Sequence, residues 1–236
     1  EEAVQSIWRH AEGVPADEVA QMKEIIRYAT LAPSGHNTQC WRFRLGNRSI
    51  AILPDFSRRT PAVDPDDHHL FVSLGCATEN LVQAARALGF IDNAEFSPET
   101  GGIITVGLER SKTEESPLFK AIPHRQCTRI DFDGKPLAPE ELRLLEAAGT
   151  GNGVAVILLT EHEAMERVLE YVVEGNTMQT NDPAFVNELE SWIRFSDGEA
   201  IRSGDGLAAR STGTPPGSAL AGEDTISHFL SCETGE

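Results

Sequence analysis

The stretch Ala32-Pro33-Ser34-Gly35-His36-Asn37-Thr38-Gln39-Cys40-Trp41-Arg42-Phe43 joins two regular patterns and decides how the chain is read. Upstream, Asp17 stands where a helix N-cap is wanted. Val19, Met22, Ile25, Ile26 and Ala29 then fall on one stripe at helical spacing, so a helix is expected over 17–31, with Pro33 as its stop. Downstream, Trp41-Arg42-Phe43-Arg44-Leu45 alternates apolar and charged, the pattern of a strand with one buried face. Gly46-Asn47 is expected to turn the chain into a second strand over 50–53. The loop between helix and strand gathers hydroxyl, amide and imidazole groups around a glycine that lets backbone approach a ligand closely. Such a loop can donate and accept hydrogen bonds along the edge of a planar heteroaromatic ring. The plainer alternative is a polar approach to a hairpin whose side chains cap their own backbone.

Charge singles out the same region. The 236 residues carry a net charge of −17, which excludes a nucleic-acid partner and an anionic membrane surface, because both need a basic face. Yet residues 25–54 hold no Asp or Glu while containing Arg27, Arg42, Arg44 and Arg48. A second acid-free window, 120–130, holds His124, Arg125 and Arg129. Acid-free, Arg-bearing segments in an acidic chain suit an anion site, since Arg offers bidentate hydrogen bonds to a phosphate and a nearby carboxylate would oppose it. The competing reading is a chance gap with solvated arginines.

Further along, a helix is expected over 68–88, with Leu70, Phe71, Leu74, Ala77, Leu81, Val82 and Ala85 as its stripe and Gly89 after its end. Short buried strands are expected over 103–108 and 154–159, and helices over 139–148, 162–178 and 183–195. Residues 196–222 turn to Gly, Ser and Pro, a length that fits a functional lid or disorder better than an ordinary connection. A last short helix is expected over 224–232. Pro15-Ala16-Asp17-Glu18 and the helix start at 136–141 open similar strand-and-helix successions, a weak internal repeat that suggests two related halves, 1–120 and 121–236.

Residues 32–43 resemble the A/T-P-S-x-x-N-x-Q-P-W-x-F signature of the FMN-dependent nitroreductase family. Arg125-Gln126-Cys127-Thr128-Arg129-Ile130-Asp131-Phe132, with Pro136-Leu137 and Glu140-Glu141-Leu142 behind it, is similar to that family's R-R/H-S-x-R/K opening. The order, Ser-Asn loop first and Arg motif second, resembles the longer, internally duplicated, lidded subfamily. The resemblance covers roughly residues 17–236. It implies an α/β (α+β) fold with a mostly antiparallel central sheet flanked by helices, the two halves packed as a pseudo-dimer. FMN would lie at their seam, with Arg125 and Arg129 on its phosphate and ribityl oxygens and Gln126 and Cys127 beside them. Pro33, Ser34, Gly35 and Asn37 would touch the isoalloxazine ring. The implied reaction is ping-pong: NAD(P)H gives hydride to the flavin, and a nitroaromatic, quinone or similar small acceptor takes the electrons, with no catalytic side chain. The alternative is a flavoprotein that sequesters FMN under the lid without turnover.

The chain also departs from the family pattern. Cys40 stands where the signature has Pro, Gln126 and Cys127 replace a basic residue and a hydroxyl, and the second half's final helix and strand are not in this sequence. His68-His69 beside Asp66 and Asp67 reads as a capped helix start, so no metal is expected. Asn80 reads as a satisfied helix amide. Cys40, Cys76, Cys127 and Cys232 are scattered without C-x-x-C spacing, which suits a reducing, cytoplasmic setting, although Glu1 in place of a methionine leaves an export signal upstream open. A monomer or a homodimer is expected, with no membrane partner.

Overall fold

The computed structural model describes residues 6–13, 15–127, 132–151 and 153–208. In chain order the elements are α1 (Glu18–Ala29), β1 (Trp41–Gly46), β2 (Ser49–Pro54), α2 (His68–Ala87), β3 (Phe90–Ser97) and β4 (Ile103–Arg110). There follow α3 (Pro117–Ala121), α4 (Pro139–Gly149), α5 (His162–Thr180), α6 (Pro183–Trp192), β5 (Ile193–Arg194), α7 (Asp197–Ser203) and β6 (Leu207–Ala208).

Helix α1 forms where its stripe predicts. Asp17 Oδ1 accepts the Ala20 N–H at 2.9 Å, and Met22, Ile25, Tyr28 and Ala29 are buried. The sheet has the order β1-β2-β4-β3 and is antiparallel throughout, with Phe43 opposite Ile52 and Ile50 opposite Val106. Helix α2 lies between α1 and the sheet, which is why its apolar face is wide: Leu70, Leu74, Ala77, Leu81, Ala84 and Ala85 all belong to one core with Ile25, Tyr28, Ile52 and Val106. The start of α2 is capped differently from expectation. Neither Asp66 nor Asp67 caps it; Asp64 Oδ1 and Oδ2 accept the His69 and Leu70 N–H groups, each at 3.0 Å. The Asn80 amide donates to Tyr28 O at 3.2 Å and so ties α2 to α1.

Two features differ from the sequence reading. Strand β3 was not expected: its Asp, Asn and Glu residues disfavour a strand, but an edge position tolerates them, with Ile91 and Phe96 exposed on opposite faces, and Phe90 anchors it in the core. The strand expected over 154–159 is absent. Val154 makes an isolated bridge to Gly151, and Val154, Ile157 and Leu159 are 62, 81 and 42% exposed. Among the described residues no neighbouring strand is there to receive this apolar run, and its pattern alone cannot make a strand. Helices α4 and α5 likewise bury none of their residues.

A second, smaller core forms around α6. Phe185, Leu189 and Ile193 pack with Val63, Val186, Phe195 and Leu207, and Glu188 accepts the Ala62 and Val63 N–H groups at 2.9 and 3.1 Å. The parallel pair β5–β6, with Ile193 opposite Leu207, brings the chain back over the loop that precedes β1.

Candidate functional site

The loop between α1 and β1 is built from unusual backbone. Gly35–Asn37 is a 3-10 turn, and His36, Asn37 and Gln39 adopt φ of 46, 52 and 49°. Three non-glycine residues in the left-handed region within four positions are costly, and such geometry persists only where surrounding contacts enforce it. Those contacts are visible. Ser34 Oγ accepts the Gln39 N–H at 2.9 Å, Ser73 Oγ on α2 accepts the Gly35 N–H at 3.3 Å, and Arg58 donates to Thr38 O.

The remaining restraint comes from residues 203–208, within the described part, 196–208, of the stretch read as a lid, which opens with helix α7. Gly206 N–H donates to Asn37 O at 3.0 Å, and the Asn37 amide donates back to Gly206 O at 3.0 Å. Gln39 donates to Gly204 O. Asp205 is clamped between Arg194, at 2.8 Å, and Arg58, with only 14% of its side chain exposed. Burial pushes the Asp205 carboxyl up, but hydrogen bonds from Arg194 and Arg58 and the Arg194 charge outweigh it and hold the group below the usual carboxylate range. Gly206 is required here: its φ is +76°, and a Cβ would lie 2.5 Å from Trp192 O. Residues 203–208 form a strap fastened to the loop by backbone and by charge.

Loop and strap enclose one side of a cleft of about 800 Å³. Pro33, Ser34, Asn37 and Gln39 line it, together with Gly204, Gly206, Leu207 and Ala208 of the strap. Ile7 and Trp8 from the N-terminal segment, and Arg125 and Cys127, line it as well. Of the residues picked from the sequence, the fold therefore brings Pro33, Ser34, Asn37, Arg125 and Cys127 to one place. Gly35 turns its N–H toward α2 and does not line the cleft, Gln126 is exposed beside it, and Arg129 lies outside the described residues. Ile7 and Trp8 were missed, because neither belongs to any periodic pattern or turn signal.

The acid-free windows resolve into two kinds of arginine. Arg27 pairs with Glu24 at 2.6 Å and Arg42 with Asp55 at 2.8 Å, carboxylates that lie just outside the window. Arg48 reaches Glu18 at 4.0 Å. These are structural pairs rather than an anion site. Arg125 differs. Among the described residues it meets no carboxylate; it donates to Leu31 O at 3.4 Å, lies 3.5 Å from Cys127 Sγ, and its Nε is buried with no hydrogen-bond partner. A buried donor left unmatched is costly unless something else accepts from it.

The cysteines near the cleft differ in setting. Burial pushes the Cys40 and Cys76 thiols up, with the Arg125 charge partly opposing the shift at Cys76, while Cys127 is exposed at the cleft. Among the described residues no group of three or more His, Cys, Asp or Glu side chains is gathered as a metal ion would need, and no helix is long and apolar enough to cross a membrane.

No protein-family profile matches the chain. Over 178 residues, 72% of its length, it is 27% identical to a protein of Mycobacterium tuberculosis whose name reads "Putative NAD(P)H nitroreductase", with the same figures in two strains. The chain spans about half the length of these curated relatives, the match covering 50% of each. The antiparallel sheet flanked by helices is the α+β arrangement expected of a nitroreductase-like fold.

Proposed function

We propose that this chain is a nitroreductase-like oxidoreductase that holds FMN in the cleft between the Ser34 loop and Arg125. The observation that carries the reading is the convergence on one cleft of two stretches 94 residues apart at Leu31 and Arg125, one rich in hydroxyl and amide groups and the other supplying a guanidinium that meets no carboxylate among the described residues. The volume of about 800 Å³ lies within the range typical of cofactor sites. The unmatched Arg125 Nε is a donor that a phosphate or ribityl oxygen would satisfy, so the residues present fit the group.

When bound, FMN would supply two-electron redox chemistry between NAD(P)H and a nitroaromatic, a quinone or a similar small acceptor. The chain's own residues bind, orient and exclude water. Arg125, with Arg129 in the reading taken from the sequence, neutralises the phosphate, while Ser34 and Asn37 sit where they can meet the polar edge of the ring. The strap restricts access from one side. Residues 1–120 are then one nitroreductase-like half and 121–236 the second. The similarity to proteins named as NAD(P)H nitroreductases supports the same reading.

The strap favours a second reading, FMN sequestration without turnover, because Asp205 fastens residues 203–208 to the loop and Leu207 and Ala208 project to the cleft. One experiment separates the possibilities. Protein reconstituted with FMN is mixed anaerobically with NADPH or NADH, and the flavin absorption is followed. Bleaching supports the oxidoreductase. Bleaching by dithionite alone supports sequestration, and protein that takes up no FMN refutes both.

A further inference from the structure

The N-terminal wall of the cleft shows how Arg125 is aimed. Trp8 is half-buried against the main core, lines the cleft, and lies with its ring centroid 5.4 Å from the Arg125 Cζ. That is within the range of a cation–π contact. The segment carrying Trp8 has little regular structure of its own and is held by α1: Arg27 donates to Ile7 O and, at 2.9 Å, to Arg9 O, the carbonyls on either side of Trp8, and Tyr28 Oη accepts the Ala11 N–H at 3.1 Å and lies 3.2 Å from His10 Nδ1. Arg27 is fixed in turn by Glu24, whose two oxygens each accept from its Nε at 3.0 Å. A continuous chain of contacts therefore runs from α1 to Arg125.

We propose that Trp8 is a positioning residue for anion recognition: its indole face holds the Arg125 guanidinium so that Nε remains directed for a phosphate-bearing ligand. The inference rests on the flavin reading for the identity of that ligand. Without the indole, Arg125 keeps its long contacts to Leu31 O and Cys127 and is free to rotate among solvated rotamers, which weakens a directed hydrogen bond while leaving the charge in place. Trp8 acts through Arg125, so its loss should be felt by the phosphate and not by the ring.

The test compares FMN with riboflavin, which differ only in the phosphate, by titrating each into the protein and following flavin fluorescence. Wild type should prefer FMN. Trp8→Ala should weaken FMN binding about five- to tenfold, the scale of one half-buried cation–π contact, and leave riboflavin binding unchanged. Trp8→Phe should restore most of the preference. Equal weakening of both ligands would overturn the proposal by making Trp8 a wall for the ring, and unchanged affinity for both would overturn it outright. A second readout needs no ligand. The Arg125 Nε–H resonance, identified by its loss in Arg125→Lys, should sit upfield under the indole ring current and move downfield in Trp8→Ala; an unmoved resonance refutes the contact. Wild type that binds neither flavin refutes the FMN reading, and the resonance then decides the role of Trp8 alone.

Discussion

Replacing Asp205 with Asn should unfasten the strap while leaving the rest of the molecule folded. The carboxylate is mostly buried, and two guanidiniums share it, those of Arg58 and, at 2.8 Å, Arg194. Breaking a fully buried pair costs about 3–5 kcal/mol, but Arg58 is 31% exposed and recovers hydration, so about 2 kcal/mol is the better figure. The loss falls on the strap and on the packing of its Leu207 against the α6 core, and not on the main core around Ile25 and Leu74. Hydrogen exchange at Gly206 reads it directly, since that N–H is bonded to Asn37 O. A change of about 2 kcal/mol corresponds to roughly 30-fold faster exchange there, with the melting temperature little changed. Acid should reproduce the variant. The folded-state pKa of Asp205 is depressed, so its stabilisation is fully present above the unfolded value, near 3.9, and is lost as pH falls through the lower folded value. Strap exchange should therefore accelerate below about pH 4 in the wild type, and Asp205→Asn should lack that component. Exchange at Gly206 within twofold of wild type in the variant would refute the strap as a charge-fastened element.

Gly206→Ala should open the same strap for a steric reason, the new Cβ meeting Trp192 O, and proteolysis between residues 203 and 208 should report it. Asp64→Ala removes the acceptor of two N–H groups at the start of α2 and should cost about 1–2 kcal/mol, seen as a melting temperature a few degrees lower. Arg125→Gln should lower FMN affinity about tenfold or more while changing the melting temperature by no more than about 2 °C, since among the described residues the side chain makes only long hydrogen bonds.

The first half of the fold was legible because its signals are local and agree with one another. The α1 stripe, the Asp17 cap and the alternation of β1 all point to one packed face, and the structure uses it. The loop at Ser34 was legible as a site through its residue types, but not its strain: His36 and Asn37 are types that tolerate positive φ without requiring it, Gln39 is not, and the bonds to residue 206 that help to hold the loop come from far along the chain. The charge windows misled in part. Sequence proximity hid the fact that Arg27 and Arg42 turn outward to Glu24 and Asp55 at the margins, so an acid-free stretch is not an unpaired one. The strand expected at 154–159 failed for the opposite reason, since an apolar run describes what a strand needs and not whether a partner is present.

The cleft combines segments of unequal stability. Its floor, the turn after α1, is continuous with the main core, where Ile25, Leu74 and Val106 are fully buried. Its walls are appended: Trp8 is held by Arg27 and by packing at the edge of the main core, residues 203–208 by Asp205, Asn37 and the packing of Leu207, and Arg125 by weak contacts to Leu31 and Cys127. Each wall can open at a lower free energy than the core itself, set by a few polar contacts and one apolar side chain at most. A ligand spanning the cleft would touch all three walls and couple openings that are independent in its absence. Ligand binding to this chain should accordingly slow exchange at Trp8, Arg125 and Gly206 together while the amides of α2 stay unchanged, because those amides open only when the core itself unfolds.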